Sequence, residues 1–111
     1  MSADRSANER VELTAQIAQV ERREDEFSEV RGAYQRSLEQ FQEQFHAVAR
    51  RRESSLSDPG ERGAQQELLF HVDRYVEESS EELTRVSSQV RLALDDERER
   101  LMRERNALPW E

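Results

Sequence analysis

Residues 13–48 read LTAQIAQVERREDEFSEVRGAYQRSLEQFQEQFHAV. Taken at alternating steps of four and three, they give Leu13, Ile17, Val20, Glu24, Phe27, Arg31, Tyr34, Leu38, Phe41, Phe45 and Val48. All but Glu24 and Arg31 are apolar. A strict 4-3 spacing puts these side chains on one helix face, and that face is stable only when pressed against another helix. The stretch therefore asks for a partner helix, and the chain supplies one further along.

The composition agrees with long two-faced helices. Charged residues make up 38% and apolar residues 34% of 111 positions. An average protein has roughly 25% and 45–50%. There are only three Gly and two Pro. Such a chain is one domain at most, and its buried surface is a thin seam with modest stability.

A net charge of −8 opposes nucleic-acid binding, which needs a basic face. All seventeen cations are Arg, interleaved with Glu and Asp, and a coding bias accounts for that. With no Cys there is no disulfide scaffold and no thiolate chemistry. No apolar run approaches the roughly 20 residues that span a bilayer, and MSADRSANER lacks the apolar core of a signal peptide. The expectation is a cytoplasmic protein, with co-export alongside a partner left open.

Working outward from the quoted stretch, residues 1–7 read as a flexible tail. Ser6-Ala7-Asn8-Glu9 has the form of a capping box, so the first helix is expected over about 8–52. The cluster of breakers at 53–63 contains Asp58-Pro59-Gly60 and reads as the turn. Asp58 is its natural N-cap and Pro59 a first helical residue. The second helix can start anywhere from Pro59 to Ala64 and is expected to fill about 64–108, before Pro109 and a tail at 109–111. Its own seam is Leu69, Val72, Val76, Ser79, Leu83, Val86, Val90 and Ala93. Leu94, Leu101 and Leu108 then continue one residue out of phase, a slip that locally changes a supercoil.

Two helices of similar length with a short connection predict an all-α fold, an antiparallel two-helix hairpin that completes a bundle with a partner or a second copy; two long helices opened at Pro59 and swapped between chains use the same seam contacts. Folding at the turn sets Val48 by Leu69, Phe41 by Val76, Tyr34 by Leu83, Phe27 by Val90 and Ile17 by Leu101. Each large residue meets an apolar one. Glu24 and Arg31 are the polar register residues of the seam.

Apolar residues lie off the seam as well. Leu68 and Tyr75, seven apart, flank Leu69, Val72 and Val76; Val30 flanks the first helix and Phe70 points elsewhere. With Leu56, they make the turn-proximal half the greasier one. A hairpin cannot cover so wide a stripe, and contiguous apolar patches mark interfaces. The expected partner-binding face is Phe41, Phe45, Leu68, Leu69, Val72, Tyr75 and Val76. Trp110 is added as a recognition tag or a side chain folded back on the hairpin.

Glu43-Gln44-Phe45-His46 has the E-x-x-H form of carboxylate-bridged metal bundles, and His71 could lie across from it. In those bundles the ligands point inward. Here the seam is Phe41, Phe45 and Val48, which turns Glu43 and His46 outward, so neither a metal nor another cofactor is expected. No phosphate-binding loop, nucleophile elbow or Cys–His pair is present. The carboxylates sit on solvated faces in pairs such as Glu81/Arg85 and Glu99/Arg103. A non-enzyme is expected.

The charged, Leu-studded segment Leu94-Asp-Asp-Glu-Arg-Glu-Arg-Leu101 within such a hairpin resembles the helical partner proteins encoded beside LXG-type toxins. The architecture is similar to that of the WXG100 family of type VII secretion. The turn Ser57-Asp58-Pro59-Gly60 lacks the Trp-x-Gly of WXG100, and Tyr75 is followed by Val-Glu-Glu-Ser, without the Y-x-x-x-D/E export signal. The resemblance implies a targeting adaptor that packs on the helical domain of a larger secreted effector. The alternative from the residues alone is a self-assembling coiled-coil component of a secretion or flagellar apparatus. Both imply a helical protein partner or a homodimer, without nucleic acid or membrane insertion.

Overall fold

The computed structural model describes residues 2–109, with side chains from Asp4 onward. Helix α1 spans Ser2–Arg52, a 3₁₀ turn spans Glu53–Ser55, and helix α2 spans Pro59–Ala107. The fold is the all-α, antiparallel two-helix hairpin.

The element ends differ from the sequence reading in two places. Helix α1 already runs from Ser2, so Ser6 is an interior residue, not a cap, and residues 2–7 are helical. Nothing between Ser2 and Glu9 breaks a helix. Asp4 favours the N-terminal end of the dipole, and Arg5 pairs with Glu9 one turn on, at 3.2 Å. Helix α2 starts at Pro59, the earliest of the starts the sequence allows and ahead of the bound at 64, because its cap overrides the weakness of Gly60 and Gly63. Asp58 Oδ1 accepts from the Gly60 amide at 3.0 Å, and its carbonyl accepts from Arg62 N at 3.1 Å. Leu56 is buried in the turn, not exposed beside it. Its carbonyl accepts from Arg62 Nε at 2.8 Å.

The chain divides into two compact units. The terminal unit comprises residues 1–30 and 86–111. Its core is Ile17, Val20 and Leu101, with Leu13 and Leu94 packed against them. Polar contacts follow the same antiparallel order. Arg10 Nη2 donates to the Pro109 carbonyl at 2.6 Å, Arg105 reaches the Thr14 hydroxyl at 3.5 Å, and Arg98 lies 3.9 Å from Glu24. Glu24 thus lies half-buried at the seam position its spacing gives it.

The turn unit comprises residues 31–85. Leu38, Ala49, Leu56, Val72 and Val76 are its buried apolar side chains. Amides cross between the helices: Gln35 to Ser80 at 3.4 Å, Gln42 to Asp73 at 3.0 Å, and Gln65 to the Ala49 carbonyl at 3.3 Å.

Both helices change phase. After Arg31, the inward side chains of α1 are Gln35, Leu38, Gln42, Phe45 and Ala49, a step of four where the sequence pattern has three. Tyr34, Phe41 and Val48 therefore leave the seam for its flank and stay more than a third exposed. Helix α2 takes the same step from Leu83 to Ser87, earlier than its Leu94 pattern suggests. Ser87 is buried in place of Val86, while Ala93 is exposed and Leu94 turned in. A straight helix has 3.6 residues per turn and drifts about 20° per heptad from a strict 3.5 repeat. An extra four-residue step offsets that drift.

Candidate docking face

The phase change gives the turn unit two unlike sides. In an antiparallel pair, each flank of one helix faces the matching flank of the other. On one side lie Tyr34, Phe41 and Val48 of α1, at seven-residue spacing, and Leu68 and Tyr75 of α2, also seven apart. The Phe41 and Tyr75 rings meet edge-on at 5.9 Å, and Phe41 also packs against Phe45 at 4.9 Å. These contacts place both rows on the same side. Edge and tilted ring pairs are favourable geometries, so the aromatics are held in place while their outer surfaces stay open. Leu68 is 51% and Tyr75 54% exposed.

The other side is polar. His46 Nε2 lies 2.7 Å from Asp73 Oδ1, which also accepts from Gln42 Nε2 at 3.0 Å. The Gln42 hydrogen bond first, and the His46 contact second, hold the Asp73 carboxyl below its usual range. His46 is therefore not on the outer face that a seam of Phe41, Phe45 and Val48 implied. With the seam rotated toward Gln42 and Ala49, His46 bridges the two helices. Glu43 pairs instead with Arg50 at 2.7 Å, and His71 sits 3.7 Å from Glu67 on its own helix. Among the described residues, no three His, Cys, Asp or Glu side chains converge on a point that could hold a metal.

The expected partner-binding residues thus separate. Phe41, Leu68 and Tyr75 form the exposed side, with Phe45 half-buried against Phe41, whereas Leu69 is half-buried and lines the groove with His46. Val72 and Val76 do not belong to a docking face: both are buried in the seam, where they pack the hairpin itself. Trp110 lies outside the described residues. Sequence reasoning missed Tyr34 and Val48 as surface residues, because a strict heptad put them inside. Their tell was the run Gln35, Gln42 and Ala49, equally regular and one residue along. Phe70 is exposed elsewhere and stacks edge-on with His71 at 5.8 Å.

Beside the turn, a groove is lined by His46, Ala49, Leu56, Arg62, Gln65 and Leu69 among others. The Arg62 guanidinium there is committed to the Leu56 carbonyl. Elsewhere the charges pair locally, Arg74 with Glu78 at 2.9 Å, Arg100 with Glu104 at 2.8 Å, and Arg85 with Glu82 where Glu81 was expected. Among the described residues, no helix is long and apolar enough to cross a membrane.

Compared with known protein families, curated proteins and solved structures, the chain matches none. What the chain defines by itself is a helical hairpin with one apolar and one hydrogen-bonded side in its turn half.

Proposed function

We propose that this chain is a non-enzymatic helical adaptor, whose turn half binds helices of a larger protein through its apolar side. The observation that carries this is the row of Leu68 and Tyr75, more than half exposed and contiguous with Phe41. Apolar patches of this kind mark interfaces, and aromatic anchors dominate binding energy. A groove-and-ridge surface of two helices is complementary to a third helix with an apolar stripe. The architectural resemblance to the partner proteins of type VII secretion makes a secreted effector with a helical N-terminal domain the first partner to seek.

The reading is tested by co-purification of tagged wild type and the L68E/Y75E variant from the native cell, with circular dichroism on both. The variant should keep its helix content and lose the captured protein. Capture that survives both charges removes this face from the reading. Charged substitutions at Leu92 and Met102, exposed in the terminal half, serve as the control and should leave capture intact.

A further inference from the structure

The contact between the Phe41 and Tyr75 rings sets the register of the apolar side and lays it out as a ladder. Seven residues toward the turn, Val48 of α1 stands level with Leu68 of α2. Seven residues the other way, Tyr34 stands level with Glu82. Seven residues of helix span about 10.5 Å, so the open apolar rungs repeat at the spacing of a heptad. Neighbours on a helix face are three and four residues apart, and they form the two banks of this furrow. Outside Phe41 stand Ser37 and Gln44, exposed and uncharged. Outside Tyr75 stand His71 and Glu78.

The charges around the ladder are unevenly answered. Glu78 is held by Arg74 and Glu82 by Arg85, each within α2. Beyond Val48, three and four residues on and so on its face, come Arg51 and Arg52, both exposed. Among the described residues, neither guanidinium makes an ion pair or a hydrogen bond, whereas Arg50 beside them is held by Glu43. Of the acids around the turn, Asp58 caps α2, Glu53 lines the groove beside His46, and Glu61 sits in the first turn of α2. Cations in the last turn of α1 suit its dipole, so Arg51 and Arg52 are stable there without a partner. In a chain of net charge −8, the apolar rungs therefore end on two open cations.

We infer that the occupant of this furrow is a helix of the partner protein with apolar residues at heptad spacing and carboxylates one turn beyond that stripe, set against Arg51 and Arg52. The inference rests on the reading of the turn half as a docking surface, and it gives the partner a chemistry and a direction. The heptad stripe fits the rungs of Val48 with Leu68 and Phe41 with Tyr75. The uncharged bank of Ser37 and Gln44 desolvates no charge when a helix lies beside it. A carboxylate against a guanidinium makes charge-assisted hydrogen bonds. Carboxylates in a first turn also suit the dipole of the helix that carries them. The occupant thus begins at the turn end and runs antiparallel to α1.

Two end-blocked synthetic peptides, each about three heptads long with Leu at the a and d positions, test this. One carries two Glu in its first turn and the other two Lys. Each is titrated with wild type, R51E/R52E and L68E/Y75E of the full chain and followed by fluorescence anisotropy, with circular dichroism to check helix content. Wild type should bind the Glu peptide about tenfold more tightly than the Lys peptide. R51E/R52E should invert that order, and L68E/Y75E should bind neither. Equal binding of the two peptides, or an order that R51E/R52E leaves unchanged, overturns the inference. If L68E/Y75E still abolishes that binding, the adaptor reading stands without the charge rule. A wild type that binds neither peptide also overturns the inference, while co-purification from the native cell decides the adaptor reading separately. Dimer mass for wild type and monomer mass for L68E/Y75E in light scattering would put a second copy in the furrow, and overturns it as well.

Discussion

The terminal half and the turn half are built from the same two helices and hold them together differently. In the terminal half, aliphatic side chains close on one another: Val20 and Leu101 are each only 2% exposed. In the turn half, the bulkiest side chains stand at the edge of the seam, and glutamines cross it to Asp73, Ser80 and the Ala49 carbonyl. Burial of apolar area stabilises at about 25 cal/mol per Å², whereas an exchanged hydrogen bond nets about 1 kcal/mol. Both halves are closed by buried apolar side chains, Ile17, Val20 and Leu101 in the one and Leu38, Ala49, Leu56, Val72 and Val76 in the other. What sets the turn half apart is that it also leaves Phe41, Leu68 and Tyr75 at its surface, which on the proposed reading serves another molecule.

Truncation of the core should give the sharpest contrast. L101A should destabilise by about 2–4 kcal/mol, the range for a leucine lost from a packed core, while Y75A, already half in water, should cost under about 1 kcal/mol. Urea denaturation of both variants measures this, and equal losses would mean that Tyr75 is as tightly packed as Leu101 and not a surface residue. Next in size is Ser87, whose buried hydroxyl has no hydrogen-bond partner. S87A should stabilise by about 1 kcal/mol, since an unsatisfied buried polar group costs about 1–3 kcal/mol. A lower urea midpoint for S87A would mean that the hydroxyl is satisfied. Third comes Gly63 in the first turns of α2, where a Cβ meets nothing within 4 Å. G63A should raise stability by about 0.5–1 kcal/mol, again read from the urea midpoint.

The smallest effect is expected at Asp73. Its pKa is lowered on folding, so its ionised form adds stability above the unfolded value near 3.9. That contribution fades as pH falls through the folded value. The group is half exposed, and solvent screening keeps the effect slight. Wild type should exceed D73N in urea midpoint at neutral pH, and the gap should close below about pH 4. A gap that widens in acid would reverse the assigned sign.

Much of this fold was legible before any coordinates. The apolar spacing of residues 13–48 called for a partner helix, the breakers around Pro59 placed the turn, and Asp58 was readable as a cap. The pairing of Ile17 with Leu101 followed from folding the two halves together. The candidate face was half legible: Leu68 and Tyr75 lie off any seam and are exposed, while Val72 and Val76, read both as seam and as part of the face, belong to the seam alone. Counting in sevens across a helix that turns every 3.6 residues put Tyr34, Phe41 and Val48 inside, where they are not.

What the sequence by itself determined is two long antiparallel helices and the break between them, because apolar periodicity and chain breakers are local properties; that the two close on each other within one chain came from the structure. What only the tertiary structure decided is the rotation of each helix about its own axis. Tyr34, Phe41 and Val48 compete with Gln35, Gln42 and Ala49 for the same seam, and both sets are regularly spaced. The choice fell to the small and hydrogen-bonding set, whose amides find Asp73 and Ser80 on the other helix. No local pattern encodes that match, since it depends on which residues of α2 stand opposite. The same rotation left the aromatic row outside, and with it the surface on which the functional reading rests.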